Sequence, residues 1–352
     1  MTTSTAATIP AISVLVLNYE GGRWIEGCLS SLKAQTIFPQ IEVIVCDNAS
    51  RDGSNHLAAQ LLAEWPNGRL LQFGENLGFC EGNNRGAAVA RGQFLFFLNN
   101  DTWLEPDCLE NLLAGVRAAQ AHVATPLVLN YDDDTEQLVL AAGFDVFGLP
   151  SFAEARAGTY ELFMPPGCSY LIDAALFREL GGFDPKIFLY ADELDLSWRV
   201  WISGHRCVAV TAARLHHRLS AHVNPKGGGT MVELRTSDSK RYYADRNNLL
   251  VLLKNCQHVL LFLVPLLLGL FVAEALVSLF LVRRWSFIRR AYRDAVADCW
   301  RLRAHIRAER RRITTFRRRG DWWMLRFLRA RFNRWDELRR MLRLGRPKVT
   351  EE

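Results

Sequence analysis

The sequence predicts an α/β layered fold with a mainly parallel sheet, followed by an apolar stretch and then a basic helical region. Three observations carry this. Between residues 12 and 101, short apolar runs alternate with amphipathic stretches in the order β-α-β-α-β-α-β, the pattern of helices laid over parallel strands. The strand-like runs close on Asn or Asp, where ligands bind in such sheets. Finally, the net charge of +6 over 352 residues is a sum of two opposed parts. Residues 283–346 hold 22 Arg and no Lys against 6 Asp+Glu, whereas residues 1–282 hold 20 Lys+Arg against 29 Asp+Glu. An acidic body precedes a basic tail, and each needs its own explanation.

The elements follow in order. The runs ISVLVLNY (12–19) and EVIVCDN (42–48) are short and rich in β-branched residues, and WIEGCLSSLKAQ between them has helical spacing. Helical HLAAQLLAEW, strand-like RLLQF, helical GNNRGAAVARG and strand-like QFLFFLNND come next. The five apolar residues Phe94–Leu98 imply a central strand buried on both faces. Later, CVAVTAARL reads as a strand leading into His216 and His217. Composition divides the chain into a disordered start (1–11), an α/β body (12–248), an apolar segment (249–282) and an Arg/Trp-rich amphipathic helical tail (283–352). Apolar residues at 49% and charged residues at 23% exclude global disorder. Eight cysteines with no C-x-x-C pair argue against a disulfide scaffold and against a structural zinc site, and fit a reduced, cytosolic compartment. The first ten residues lack the basic and apolar regions of a secretory signal.

Polar residues gather at the strand ends. Asp47 can accept a hydrogen bond from a nucleobase N–H, or the segment 47–54 is a plain helix cap. Asp101, closing Asn99-Asn100-Asp101, suits a hard divalent cation on a diphosphate, or the triplet is an ordinary turn. Asp192, Glu193 and Asp195 lie within four positions and raise one another's pKa unless cations balance them. One could act as a general base towards a hydroxyl; the bland alternative is a solvated helix N-terminus. Either His216 or His217 could complete a metal site with Asp101. Trp198 and Trp201 read as core or pocket wall. No G-x-G-x-x-G follows the first strand, which excludes a dinucleotide oxidoreductase.

Several ordered motifs then assemble: Glu75-Asn-Leu-Gly-Phe-Cys-Glu-Gly-Asn-Asn84-Arg-Gly86, Leu98-Asn-Asn-Asp-Thr102, Gly181-Gly-Phe-Asp184, Tyr190 through Arg199, and Tyr242-Tyr-Ala-Asp-Arg-Asn247. Through them residues 12–254 resemble glycosyltransferase family 2, the inverting nucleotide-sugar transferases of GT-A (Rossmann-like) fold, and within it the bacterial rhamnosyltransferase-like branch. The resemblance implies that Leu17, Asn18 and Tyr19 line the nucleotide base and that Asp47 binds it. It places Asn76, Gly78, Asn84 and Asn100 near the ribose and diphosphate. Asp101 and His217 would hold Mg²⁺ or Mn²⁺. The catalytic pair falls on Asp192-Glu193, in the order Asp-Glu where Glu-Asp is commoner, with Glu193 the favoured base. Asp195, Trp198, Arg199 and Arg246 would lie on the acceptor and loop side, and Gly227-Gly228-Gly229 would close over the donor. The implied reaction moves a sugar from a nucleoside diphosphate, dTDP-rhamnose by the branch, to a hydroxyl by a single displacement. An inactive nucleotide-sugar or glycan binding module of the same fold is the alternative.

From Val259 to Val282 there are 24 residues with one charge, Glu274. That length permits one crossing, but a single span would put the basic tail opposite the cytosolic body, against the positive-inside tendency. Two crossings need about 40 residues, and residues 249–282 supply 34. The stretch is therefore expected to lie along one leaflet or to pack against another subunit. Trp285, Trp300, Trp322, Trp323 and Trp335 stand among clusters such as Arg310-Arg311-Arg312 and Arg317-Arg318-Arg319, which suits an anionic membrane surface. Nucleic acid is the rejected partner, since it has no use for the apolar neighbour. A solvated helical appendage is the remaining reading. The expected place is the cytoplasmic face of the bacterial inner membrane, with a lipid-linked or cell-surface glycan as acceptor.

Overall fold

The computed structural model describes residues 9–218 and 235–331, together with 334, 339, 343 and 348–350. Gly227-Gly228-Gly229 and Trp335 lie outside the described residues, as do residues 1–8. Strands β1 (Ile12–Asn18), β2 (Ile41–Asp47), β3 (Gly68–Gln72) and β4 (Phe94–Asn99) pair in parallel in the order β3-β2-β1-β4. Helices α1 (Ile25–Lys33), α2 (Ser54–Leu62) and α3 (Gly78–Val89) connect them. This is the expected alternation, and Phe94–Leu98 are all buried between the two layers. Helix α3 starts earlier than its apolar spacing suggests, because the Asn76 side chain accepts the Gly78 N–H at 2.9 Å.

Beyond β4 the sheet becomes mixed. Strand β5 (Thr102–Leu104), α4 (Cys108–Ala118), β6 (Val123–Asn130), a small hairpin β7 (Ala141–Phe144) and β8 (Pro150–Phe152), β9 (Thr159–Glu161) and β10 (Ser169–Asp173) follow. Then come α5 (Ala174–Glu179), α6 (Asp192–Ile202) and the long β11 (Cys207–His217). The main sheet runs β3-β2-β1-β4-β10-β6-β11-β5, with β9 also on β11. Strand β10 is antiparallel to both neighbours, and β6 and β11 are parallel to each other. Alternate side chains divide the core: Val14, Val16 and Phe96 pack under α1, α2 and α4, while Leu15 and Phe97 pack under α3, α5 and α6.

Helix α7 (Asp238–Asn255) runs through residue 248, so the boundary drawn there from composition divides one continuous helix. It delivers Lys254 into the centre of the molecule. The Lys254 ammonium, fully buried, pairs with Asp184 and lies 3.0 Å from Asp195. Asp195 also receives Arg199 at 2.7 Å and Asn255 at 2.9 Å, and His305 donates to Asp184 at 2.9 Å. Burial alone would raise the Asp184 carboxyl, but the hydrogen bonds from His305 and Lys254 outweigh it and hold it well below the usual range. Asp195 is lowered in the same way: burial opposes, and Arg199 and Lys254 win.

The tail folds back onto this body. Helix α8 (Leu263–Leu281) buries a narrow stripe, Leu263, Leu267, Phe271 and Ser278, and leaves Val272, Leu276, Val277 and Phe280 exposed. Helices α9–α12 (Trp285–Ile288, Ala295–Arg301, Arg303–Phe316 and Asp321–Met324) follow. Several arginines expected to meet an anionic surface are instead structural. Arg310 donates to the carbonyls of Leu253 (2.7 Å) and Cys256 (2.6 Å), and Arg317 to that of Asn255. Arg319 reaches the carbonyls of Trp201, Gly204 and His205. The reason is physical: the last carbonyls of α6 and α7 have no intrahelical partner, and guanidinium groups supply the missing donors. Asp321 completes the docking by accepting the N–H groups of Gln257, His258 and Leu260.

Replacing Lys254 by Met is expected to destabilise the protein by about 3–5 kcal/mol, since it removes the buried cation that Asp184 and Asp195 share. Urea unfolding measures this, and an equal midpoint in the variant would contradict the arrangement. Both carboxyls are depressed, so their contribution is present above the ordinary Asp value of 3.8 and is lost as the pH falls below it.

Candidate active site

The parallel strands end side by side, with Asn18 in register with Asp47 and Leu17 with Asn99. Asn18 organises the rim. Its Nδ2 donates to Asp47 Oδ1 at 2.8 Å and to Ser54 Oγ at 2.9 Å, and its Oδ1 accepts from Asn100 at 2.8 Å. Gly21 must lie beneath this link, since a Cβ there would be 2.0 Å from Asn100 Nδ2. Asp47 is 1% exposed, and its Oδ2 accepts the Ser50 N–H at 3.1 Å. Both its oxygens thus serve the rim already. Tyr19, 51% exposed, is the outward-facing member of the group.

The Asn76–Asn84 segment divides. Gly78 has φ +77° and sits against Phe188, where a Cβ would meet the ring at 2.5 Å, and Phe79 N–H donates to the Phe188 carbonyl at 2.8 Å. Asn84 corrects an expectation. Its amide bonds both the N–H and the carbonyl of Phe183, each at 2.9 Å, so it ties α3 to the Gly181–Asp184 turn instead of meeting a nucleotide.

Of the two histidines at the end of β11, the structure brings His217 to Asp101, with Nε2 3.5 Å from Oδ1. The Gln137 amide fixes the ring. Its Nε2 donates to the Asn130 side chain and the His217 carbonyl, which leaves Oε1 to accept from His217 Nδ1 at 3.2 Å. Nε2 is then directed at Asp101. Burial would lower this imidazole, but the Cys168 thiol and the Asp101 carboxylate hold it well above its ordinary range. Without a cation, a proton on Nε2 fills the place between ring and carboxylate. The donor set of one carboxylate and one imidazole fits a divalent cation. His216 points to the other face of the strand, stacked on Trp103 at 3.7 Å, and is no partner for Asp101.

Asp192 and Glu193 open α6 beside the rim. The loop before β10 links the two halves: the Cys168 carbonyl accepts the Asn99 N–H at 3.1 Å, and Gly167 lies against both carboxyl groups, a Cβ there falling 3.5 Å from Asp192 and 3.7 Å from Glu193. The pair is approached by a turn in which Tyr190 (φ 68°) and Ala191 (φ 61°) are both left-handed, an uncommon conformation for residues with a Cβ. Asn247 on α7 holds it by donating to the carbonyls of Leu189 (2.8 Å) and Tyr190 (2.9 Å). Arg246 adds a bond to the Lys186 carbonyl at 2.7 Å, so its place is behind the turn.

Burial and the neighbouring Glu193 hold the Asp192 carboxyl well above its usual range. Glu193 is raised by burial too, but a hydrogen bond from Asp192 acts in the opposite direction. The two carboxyls thus act on each other's protonation, and Glu193 is the less buried member. The neighbours Asp195, Trp198 and Arg199 are 0% exposed. Arg199 donates to the carbonyls of Leu180 and Gly182, each at 2.8 Å, so these three belong to the core and not to an acceptor face. Gln137, Gly167 and Asn247 were not singled out from sequence. Asn247 stands within a motif that was, whereas Gln137 carries no local signal, being 80 residues from its histidine.

Comparison with known proteins follows the same lines. The family model "Glycosyl transferase family 2" matches residues 13–181. The chain is 27% identical over 267 residues to an N-acetylglucosaminyl-diphospho-decaprenol L-rhamnosyltransferase of Mycobacterium tuberculosis, covering 67% of this chain and 85% of that one. It is 38% identical to EpsH of Bacillus subtilis over 104 residues, 30% of either chain. Among solved structures it resembles S. aureus TarS 1-349 in complex with UDP-GlcNAc, with a TM-score of 0.56, 15% identity and coverage of 87% and 88%. GalNAc-T7 with UDP, GalNAc and Mn²⁺ gives a TM-score of 0.58 at 17% identity, covering 72% of this chain and 49% of that one. The fold is GT-A-like, and the match to the model of glycosyl transferase family 2 spans residues 13–181, just under half of the chain.

Proposed function

We propose that the protein transfers a sugar, rhamnose from dTDP-rhamnose, to a hydroxyl of a lipid-linked or cell-surface glycan by a single inverting displacement. The observation that carries the chemistry is the carboxyl pair at the start of α6, held against Gly167 beside the rim. Glu193 takes the proton of the acceptor hydroxyl at its carboxylate, and Asp192 keeps its own proton and donates a hydrogen bond that holds Glu193 in place. The rigid turn fixed by Asn247 orients both. Asp101 and His217 are the residues that would hold Mg²⁺ or Mn²⁺, which neutralises charge on a diphosphate leaving group. Tyr19 offers a ring face to the nucleotide base. The rhamnosyl and lipid-linked parts rest on the likeness to the mycobacterial enzyme, which its name gives as acting on a polyprenyl diphosphate sugar. The likeness to TarS with UDP-GlcNAc bound favours a uridine donor as the second reading.

The same proposal puts the protein on the cytoplasmic face of the inner membrane with α8 lying along one leaflet. Residues Leu260–Leu281 are long and apolar enough for a span, with a mean hydropathy of 2.6. Their one charge, Glu274, pairs inward with Arg241 of α7 and with Arg334, and both bases also meet the buried Asp245. A helix tied to the body by its charge and by its buried stripe has one face free for lipid. Trp285, 67% exposed, and the exposed Arg283, Arg289 and Arg293 stand at its end, where a headgroup layer would begin.

Glu193→Gln is expected to lower kcat by about 10²–10⁴-fold while donor affinity is retained. The rate should rise with pH along a limb above the ordinary Glu value of 4.5. Asp192→Asn, which keeps a donor, should leave that limb in place, and Asp192→Ala should move it to higher pH. A Glu193→Gln enzyme as fast as wild type would remove Glu193 as the base. Calorimetric titration with dTDP, UDP and GDP, with and without Mn²⁺, identifies the donor; tighter UDP than dTDP binding selects the second reading. In liposome flotation, full-length protein should bind anionic vesicles, and replacing Val272, Leu276, Val277 and Phe280 by Ser should abolish it even at low salt. Unchanged flotation would remove α8 from the membrane.

A further inference from the structure

The far face of β11 holds a second group of ligand-type side chains that the reaction does not use. His216, 2% exposed, donates from Nδ1 to the carbonyl of Asn130 at 3.0 Å; a carbonyl only accepts, so Nδ1 carries a proton and Nε2 is the nitrogen left for a cation. That Nε2 is buried and has no hydrogen-bond partner. It is aimed at Glu105 Oε1, 3.5 Å away, and at Asp134 Oδ1, 3.8 Å away. The three ligand atoms lie within 4.8 Å of one another, a small contraction from the spacing around one transition-metal ion. Trp103, stacked on the imidazole at an interplanar angle of 5°, fixes the ring. A backbone carbonyl on the distal nitrogen is the outer-shell arrangement that metal-bound histidines use.

We propose that Glu105, Asp134 and His216 form a second divalent-metal site, of Zn²⁺ type, separate from Asp101 and His217. One imidazole nitrogen and two carboxylate oxygens suit Zn²⁺, with solvent completing the shell. The lack of C-x-x-C pairs does not bear on a site built from nitrogen and oxygen. Arg214, 3.4 Å from Glu105 and 3.9 Å from Asp134, balances the carboxylates when no cation is bound. Its side chain is 38% exposed, so it can swing into solvent when one arrives. The ion would pin the segment from Asn130 to Gln137 to β11. That segment carries the Gln137 amide that orients His217 on the opposite face, so the second ion stabilises the placement of the first site's histidine.

The test uses full-length, chelator-treated protein carrying Asp101→Asn and His217→Gln, so that the first site contributes no ligands. Zn²⁺ titration by calorimetry should give one equivalent, and Zn²⁺ should raise the melting temperature. Adding Glu105→Gln, Asp134→Asn or His216→Asn should each weaken Zn²⁺ binding at least about tenfold and remove the thermal shift. His216 is buried, so its variant is checked for folding by circular dichroism; Glu105 and Asp134 are accessible, and their variants test the site independently. No stoichiometric Zn²⁺ in the Asp101→Asn/His217→Gln protein, or equal affinity in the Glu105 and Asp134 variants, would overturn the proposal.

Discussion

One buried ammonium group decides how the halves of this protein meet. Lys254 comes from α7, Asp184 from the turn after α5, and Asp195 from the first turn of α6. Each carboxylate would be expensive to bury alone, and their closeness would add repulsion. The cation between them makes burial tolerable only when all three segments are in place. Arg199 and His305 extend the same condition to the carbonyls of the Gly181–Gly182 turn and to the tail. The arrangement gives little net stability compared with an apolar core of equal volume. It specifies one docking of α7 and the tail against α6, and a poorly registered helix would leave a charge stranded.

That registration matters because Glu193, the proposed base, is two residues from Asp195 on the same helix. The left-handed pair Tyr190–Ala191 carries strain of order 1–3 kcal/mol per residue, and it persists because Asn247, about two helical turns before Lys254, grips the carbonyls of Leu189 and Tyr190. Helix α7 thus does two jobs with one face. Its last turn neutralises the core carboxylates, and its middle holds the strained turn that aims Asp192 and Glu193. The gain is a carboxyl pair whose geometry is set by packing before any substrate arrives.

How much of this was legible in the sequence depends on the range of the interactions. The parallel half was readable because each strand there is a local apolar run ending on a polar residue, and Phe94–Leu98 emerges as the buried central strand. The rim residues Asn18, Asp47, Asn100 and Asp101 were readable for the same reason. The antiparallel insertion of β10 between β4 and β6 was not, since nothing local distinguishes a strand by its direction. Asn84, Asp195 and Arg199 were taken for site residues because they stand in functional motifs. In the folded chain their polar atoms face backbone carbonyls and buried charges, a role that polar residues within a motif do not announce. Gln137 shows the opposite failure, an isolated amide that matters through a partner far along the chain.

The arginine tail is the clearest case of composition pointing to the right residues for an incomplete reason. A run of positive charge beside an apolar helix predicts attraction to an anionic surface, and Arg283, Arg289 and Arg293 are exposed, although Arg293 also pairs with Asp294. Arg310, Arg317 and Arg319 answer a different need. The carbonyls at and just beyond the ends of α6 and α7 accept from these guanidinium groups, and a hydrogen bond to a charged group is worth about 1.5–3 kcal/mol. Arginine suits both tasks because its planar fork donates in several directions and cannot lose its charge. The tail is therefore a structural part of the body as well as a candidate membrane contact. It follows that α8 has its orientation set by the body: the Asp321 cap holds the start of the apolar segment and Glu274 its second half, both against the frame that carries Glu193. If α8 lies on a membrane as proposed, a helix held this way would present lipid at a constant height relative to Glu193.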